Sequence, residues 1–399
     1  MKVKWLKLSS LFKVLNKDLK LIFISNLMGS FGDGLYAYIL PYYMREMLHA
    51  NPVEVGILYA AVSIVAALTL LLAGMIADKY DRKKIMIAGW IAWLPAPIIF
   101  SLATNWLQML PGMILWGFWL GGPTSTAYIV TSADKKNLTL TFTLISSAWS
   151  IGYTFSPALG GYLAEIIGMK IVFYLAFTFY ASAALTLVFI NSQHAIGYEK
   201  DFKEHGYSFL KLLRDRKLLL LSFFFTLIMF VTMLFRQFIP QFLGEVYKYN
   251  DFEIGVLGSV SFFGSAVLGI FLGKIGDQLG KNYALAVSMI LGCFSLTFLL
   301  LCKSFPILIL TFFLIGSTYL NWSLMGAILG PLAPESVRAR WISIPQTLSM
   351  FGSFIAPYIG GVLYTLSPSY PFIVAVFAFL VFSALSYQSF STKNKEQEI

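Results

Sequence analysis

The sequence points to an all-α membrane protein, with twelve transmembrane helices in two pseudo-symmetric six-helix bundles. Three observations carry this. Hydrophobic residues make up 58% of the 399 and charged residues 12%, a balance too apolar for an ordinary soluble domain. The apolar residues fall into long runs, and about 20 such residues cross a bilayer as a helix. A knot of charge, Gly74-Met75-Ile76-Ala77-Asp78-Lys79-Tyr80-Asp81-Arg82-Lys83-Lys84, separates two runs and returns 199 residues later as Gly273-Lys274-Ile275-Gly276-Asp277-Gln278-Leu279-Gly280-Lys281.

The return extends along the chain. At that offset Pro41 meets Pro240, Glu46 meets Glu245, Asn51 meets Asn250, Glu54 meets Glu253, Gly56 meets Gly255, Leu58 meets Leu257 and Gly117 meets Gly316. One residue further out, Gly152, Pro157, Gly160 and Gly161 meet Gly352, Pro357, Gly360 and Gly361. An ordered series of this kind makes the chain two copies of one membrane unit.

The spans read as 20–48, 53–77, 85–104, 107–132, 139–166, 170–190, 217–247, 252–275, 282–302, 305–333, 340–365 and 371–390. They group into a surface segment 1–19, bundles 20–190 and 217–390, a linker 191–216 and a tail 391–399. Segment 1–19 interleaves Trp5, Leu6, Leu8, Leu11, Phe12 and Leu15 with lysines, which predicts a helix lying on the membrane surface. The linker is polar and charged, and the tail is expected to lack structure. Interior Pro41, Pro95, Pro97, Pro123, Pro157, Pro240, Pro345 and Pro357 mark expected kinks.

A net charge of +10 would suit nucleic acid, but its distribution argues for a membrane. Of 29 Lys and Arg, 24 fall on one face and only Arg45, Lys170, Lys248 and Lys303 on the other. The positive-inside rule then places both termini in the cytoplasm of a multi-pass cell-membrane protein. Cys293 and Cys302 lie nine residues apart on one span, too distant to bridge within a helix. No His/Cys/carboxylate cluster suggests a metal, and no phosphate-binding loop suggests ATP hydrolysis. Neither a cofactor nor an enzymatic activity is expected.

The turn Gly-x-x-x-Asp-Lys-x-x-Arg-Lys-Lys between the second and third spans resembles the loop signature of the major facilitator superfamily, and the resemblance covers nearly the whole chain. It implies two six-helix halves around a central cavity, rocking to give alternating access. Asp81 departs from the pattern, standing where the family usually has glycine. The fifth span carries Gly152-Tyr153-Thr154-Phe155-Ser156-Pro157-Ala158-Leu159-Gly160-Gly161. This is similar to the family's antiporter signature, with Ser156 replacing a glycine, and it calls for close helix contact and a bend. The fourth span, Trp116-Gly117-Phe118-Trp119-Leu120-Gly121-Gly122-Pro123, resembles the family's glycine-rich helix. It lacks the arginine often found there, with Met113 near its place. No proton relay through that arginine carries over.

Asp33 is the chief anomaly. It lies about 12 residues into the first span, roughly 18–20 Å along a helix axis, inside a hydrocarbon core of about 30 Å. An acid so placed marks a functional position by default. Arg236 on the seventh span is its expected partner, with Gln237 and Gln241 nearby. The repeat sets Asp33 against Thr232 and Arg236 against Ala37, about one turn apart in depth. Tyr36, Trp116 and Trp119 are expected beside the same cavity. Gly74, Asp78, Arg82, Lys83, Asp134, Gly273 and Asp277 form the expected conformational switch, and the family resemblance implies that Asp134 pairs with Arg82. Glu335, Arg338 and Arg340 hold the comparable place in the second half. Gly152, Pro157, Gly160, Gly161, Pro357, Gly360 and Gly361 form the helix-packing motif.

The reading is a monomeric secondary transporter moving a small molecule through the bilayer, by proton-coupled efflux of a lipophilic or cationic compound. Uptake of a small anionic metabolite anchored by Arg236 is the alternative. A non-transporting sensor or scaffold is the third, and it calls for a soluble domain or signalling tail that the sequence does not show.

Overall fold

The structure, a computed structural model, describes residues 12–194, 216–329 and 338–396. Most of the surface segment, most of the linker, Glu335 and the last three residues of the tail lie outside them. So do the side chains of Asp78, Arg338 and Arg340. Helix Lys17–Ala37 begins inside the expected surface segment, where the Asn16 side chain accepts from the Leu19 amide and caps it. At the other end, helix Tyr370–Glu396 continues through most of the tail expected to be unstructured, since elongation from a formed helix costs little.

Nine helices among the described residues are long and apolar enough to cross a membrane. The other three of the twelve are the first, fourth and fifth spans. Asn26 and Asp33 dilute the first, a backbone break divides the fourth, and serines and threonines dilute the fifth. These three spans carry Asp33, Tyr36, Trp116 and Tyr153 of the site described below.

Prolines set where spans break. Pro41, Pro95, Pro123, Pro240 and Pro357 each fall in the first turn of a new helical piece, as in Leu40–Glu46, Pro95–Leu102 and Phe238–Glu245. A missing N–H is harmless there. Pro157 and Pro345 stay inside helices Leu138–Ile167 and Arg338–Ser353.

The repeat becomes a set of paired contacts between the halves. The fifth span runs along the eighth, Asp251–Gln278, and the second, Pro52–Lys79, runs along the eleventh. A Cβ on Gly255 would strike the Pro157 carbonyl, and one on Gly56 would strike the Pro357 carbonyl. Gly161 likewise meets the Asp251 carbonyl and Gly361 the Pro52 carbonyl. Within each half, Gly160 meets the Leu35 carbonyl and Gly360 the Leu234 carbonyl, while Gly152 meets Ser30 and Gly352 meets Thr226. Only a residue without a side chain allows backbones this close.

Candidate transport site

Asp33 sits four residues before the C-terminal end of helix Lys17–Ala37 and is 2% exposed. Four donors converge on its carboxylate. Trp116 Nε1 donates to Oδ1 at 2.7 Å, Tyr180 Oη at 2.5 Å and Tyr36 Oη at 3.3 Å. Tyr153 Oη donates to Oδ2. The Tyr36 and Tyr180 hydroxyls lie 2.9 Å apart, so the single Tyr36 hydrogen is divided between Asp33 Oδ1 and Tyr180 Oη. The ring comes from four spans, so it exists only once the spans have packed. Tyr36, three residues on from Asp33, was legible on the same helix face. Tyr153 and Tyr180 carried no sequence signal tying them to the acid.

Trp116 reaches Asp33 because the fourth span is broken. Its pieces are Leu110–Trp116 and Gly121–Ser132, with 117–120 unwound between them. Freed backbone groups find partners from neighbouring spans. Trp93 Nε1 donates to the Phe118 carbonyl at 2.7 Å, Thr69 Oγ1 donates to the Gly117 carbonyl at 3.3 Å, and the Trp119 amide donates to Thr69 Oγ1 at 3.0 Å. Unwound backbone at membrane depth is tolerated where it is buried or lines a cavity. Here it does both.

The cavity is about 440 Å³ and lies between the halves. Asp33, Trp116, Trp119 and Tyr153 line its first-half wall, and Arg236, Gln237 and Phe262 its second-half wall. Arg236 does not pair with Asp33 as the sequence suggested. Its guanidinium lies over the Tyr319 ring, 4.1 Å from the centroid, and the one salt bridge among the described residues is elsewhere. Tyr36, fully buried, braces Asp33 from behind and does not face the cavity.

The model of the Major Facilitator Superfamily matches residues 22–252 and again 227–398. This chain belongs to the major facilitator superfamily. It is a multi-pass membrane transporter and not an enzyme. It is similar to Multidrug resistance protein 2 of Bacillus subtilis, 25% identical over 379 residues, with 92% of this chain and 93% of the relative covered. It is also similar to multidrug resistance protein MdtG of Proteus mirabilis, at 24% identity with 90% and 92% covered. The multi-drug efflux pump PmrA of Streptococcus pneumoniae is 27% identical, with 76% and 78% covered. Among solved structures, a point mutant of the nucleoside transporter NupG superposes with a TM-score of 0.77 at 15% identity, covering 94% of this chain and 99% of that one. That likeness concerns the fold.

Major facilitator transporters alternate between two openings, and this one is joined on the face opposite the basic loops. Arg45 Nε contacts Glu245 Oε1 at 2.5 Å, linking the ends of the first and seventh spans. Tyr364 donates to Glu245 Oε2 at 3.0 Å, and Asn250 Nδ2 donates to Glu165 at 3.2 Å. The sequence reading missed this closure, although Glu245 stood among the repeat pairs.

On the basic face, the switch residues are differently engaged. Gly74 and Asp78 lie in the last turns of Pro52–Lys79. Arg82 takes partners other than the expected Asp134: it donates to Thr131 Oγ1 at 2.8 Å, Gln193 Oε1 at 2.7 Å and the Ala127 carbonyl at 3.2 Å. Asp134 instead caps a short 3₁₀ turn, accepting from the Lys136 amide and Asn137 Nδ2, each at 3.1 Å. Exposed carboxylates so close to free amides prefer the local cap. Gly273 and Asp277 are exposed.

The departure at Asp81 has a physical account. Asp81 is extended, at φ −60° and ψ 114°, and caps the third span by accepting from the Lys83 amide at 3.0 Å. Its carboxylate also accepts from the Gln193 amide at 3.1 Å, tying the turn to the end of the sixth span. Burial pushes this carboxyl up, but bonds from the Gln193 amide, Ser192 and the Lys83 amide outweigh it and hold the group below its ordinary value. The repeat counterpart is Gly280 at φ +113°, where a side chain would be strained. The two turns solve one problem with different backbones.

Proposed function

We propose that this transporter exports lipophilic compounds in exchange for protons, with Asp33 as the proton site. The observation that carries the reading is a buried carboxylate on the wall of the central cavity, held by four donors. The relatives named for multidrug resistance and efflux support the direction and the kind of cargo. The protein would act as a monomer in the cell membrane, with both termini and the basic loops cytoplasmic.

Coupling would run through Tyr153. An ionised Asp33 accepts from all four neighbours. A protonated Asp33 carries a donor of its own, so a neighbour must turn its hydrogen away. Among the described residues Tyr153 is the sole partner of Oδ2, and it also lines the cavity. Its ring lies 4.6 Å from that of Phe262 on the eighth span. Proton binding would thus alter the side chain that bridges the halves beside the cargo. Proton and cargo then bias one conformational equilibrium, which linkage requires. The same ring of donors argues against a cationic cargo resting on Asp33, because four donors already offset its charge.

Transport of a fluorescent lipophilic compound into vesicles with an imposed pH gradient tests this. Asp33→Asn is expected to lower gradient-driven flux at least about tenfold while leaving gradient-free counterflow. Undiminished gradient-driven flux in that variant would remove Asp33 from the coupling.

A further inference from the structure

We infer that the cargo of the central cavity is an amphipathic anion, and that Arg236, Gln237 and Tyr38 form the subsite for its acidic group. The inference rests on the cavity being the cargo site. Three donors on or near the seventh span lack a complement. Arg236 faces the cavity, and among the described residues the Tyr319 ring lies against one face of its guanidinium. A ring stacked on that face leaves the five in-plane N–H groups pointing sideways. The only ion pair among the described residues is Arg45 with Glu245, far along the seventh span. Gln237 Nε2 and Tyr38 Oη are buried without a hydrogen-bond partner among the described residues, and both residues line the same cavity.

A cation and two orphan donors inside a membrane protein are costly to leave unmet. Among the described residues the one carboxylate on the cavity wall, Asp33, is held by its own ring of donors and bonds none of the three. A carboxylate, phosphonate or sulfonate on the cargo meets the need, since a planar guanidinium receives such groups in bidentate fashion. The rest of the cargo is apolar. Tyr59, Trp116, Trp119, Trp149 and Phe262 line the remaining wall and offer ring faces to a flat or greasy body.

The test is a ranking of three probes of one shape against purified protein in detergent: 2-naphthoate, neutral 2-naphthamide and 2-naphthylmethylammonium, read by quenching of the cavity tryptophans. Naphthoate is expected to bind at least about tenfold more tightly than the other two, the size of effect that one well-placed charge-assisted contact gives. Arg236→Gln should bring naphthoate down to the level of naphthamide and leave naphthamide unchanged. Equal or tighter binding of the ammonium probe overturns the inference, as does an Arg236→Gln protein that keeps the preference. If Arg236→Gln does not fold, the ranking in the native protein decides, and Gln237→Leu should weaken naphthoate alone. Ser63→Trp, which fills the cavity, should abolish binding of all three. Binding that survives it removes the cavity as cargo site, a different failure from a missing preference for the anion. No gradient is involved, so the outcome is independent of whether Asp33 couples protons.

Discussion

The two walls of the cavity descend from one repeated unit and have opposite chemistry. On the first-half wall, Asp33 is enclosed by donors from four spans. Its repeat counterpart Thr232 is equally buried, and its hydroxyl donates to the Ile228 carbonyl at 2.9 Å within its own helix. On the second-half wall, Arg236 stands where the first half has Ala37. The backbones match far better than the side chains do. Glycine contacts recur pair by pair, and Gly117 and Gly316 both fall where a span leaves regular helix. Symmetry therefore belongs to the parts that rock, and asymmetry to the parts that bind.

Exchanging the walls should upset this division most severely. In Asp33→Thr/Thr232→Asp the acid moves to the half where Phe235 and Phe379 are the repeat counterparts of Tyr36 and Tyr180, and an unsatisfied buried charge costs on the order of 3 kcal/mol or more. Gradient-driven flux should vanish and the melting temperature should fall. Retained flux would mean that the ring around Asp33 is dispensable. The glycine pairs probe the symmetric part. Gly160→Val and Gly360→Val each force a side chain into a backbone carbonyl and should each destabilise by about 1–3 kcal/mol. Equal losses in thermal unfolding support equivalent packing roles, and a loss in one half alone argues against them.

Tyr153→Phe keeps the ring against Phe262 and removes one bond to Asp33. We expect gradient-driven flux to drop roughly tenfold, as loss of one hydrogen bond to a charged group would give, with folding intact. A smaller change is expected at the closed face. Glu245→Gln breaks the Arg45 contact and should shift the equilibrium toward opening there by about 1 kcal/mol, the upper range for a partly exposed pair. Glu46→Gln, its repeat counterpart, should leave it unchanged. Labelling of a cysteine placed at Tyr42 reports both. The smallest effect belongs to Asp81. Its folded-state value lies below the ordinary 3.8, so its stabilisation is complete above that value and fades as pH falls through the lower folded value. Asp81→Asn should remove this part of the acid sensitivity, visible in melting curves between about pH 5 and 2.

The helices, the duplication and the positions that must be small could all be read from the residues alone. They follow from local rules: apolar run length, a repeated spacing, and glycine or proline where backbones meet or helices restart. Asp33 and Arg236 stood out in the same way, because a charge inside an apolar run is anomalous without any knowledge of its neighbours. What those charges touch was settled by packing. Tyr153 and Tyr180 lie 120 and 147 residues from Asp33, and nothing in either sequence neighbourhood refers to the other. The same holds for Arg82, which the family resemblance paired with Asp134 and the fold assigned to Thr131 and Gln193. A hydrogen bond depends on direction as well as proximity, and direction is set only when whole spans come together.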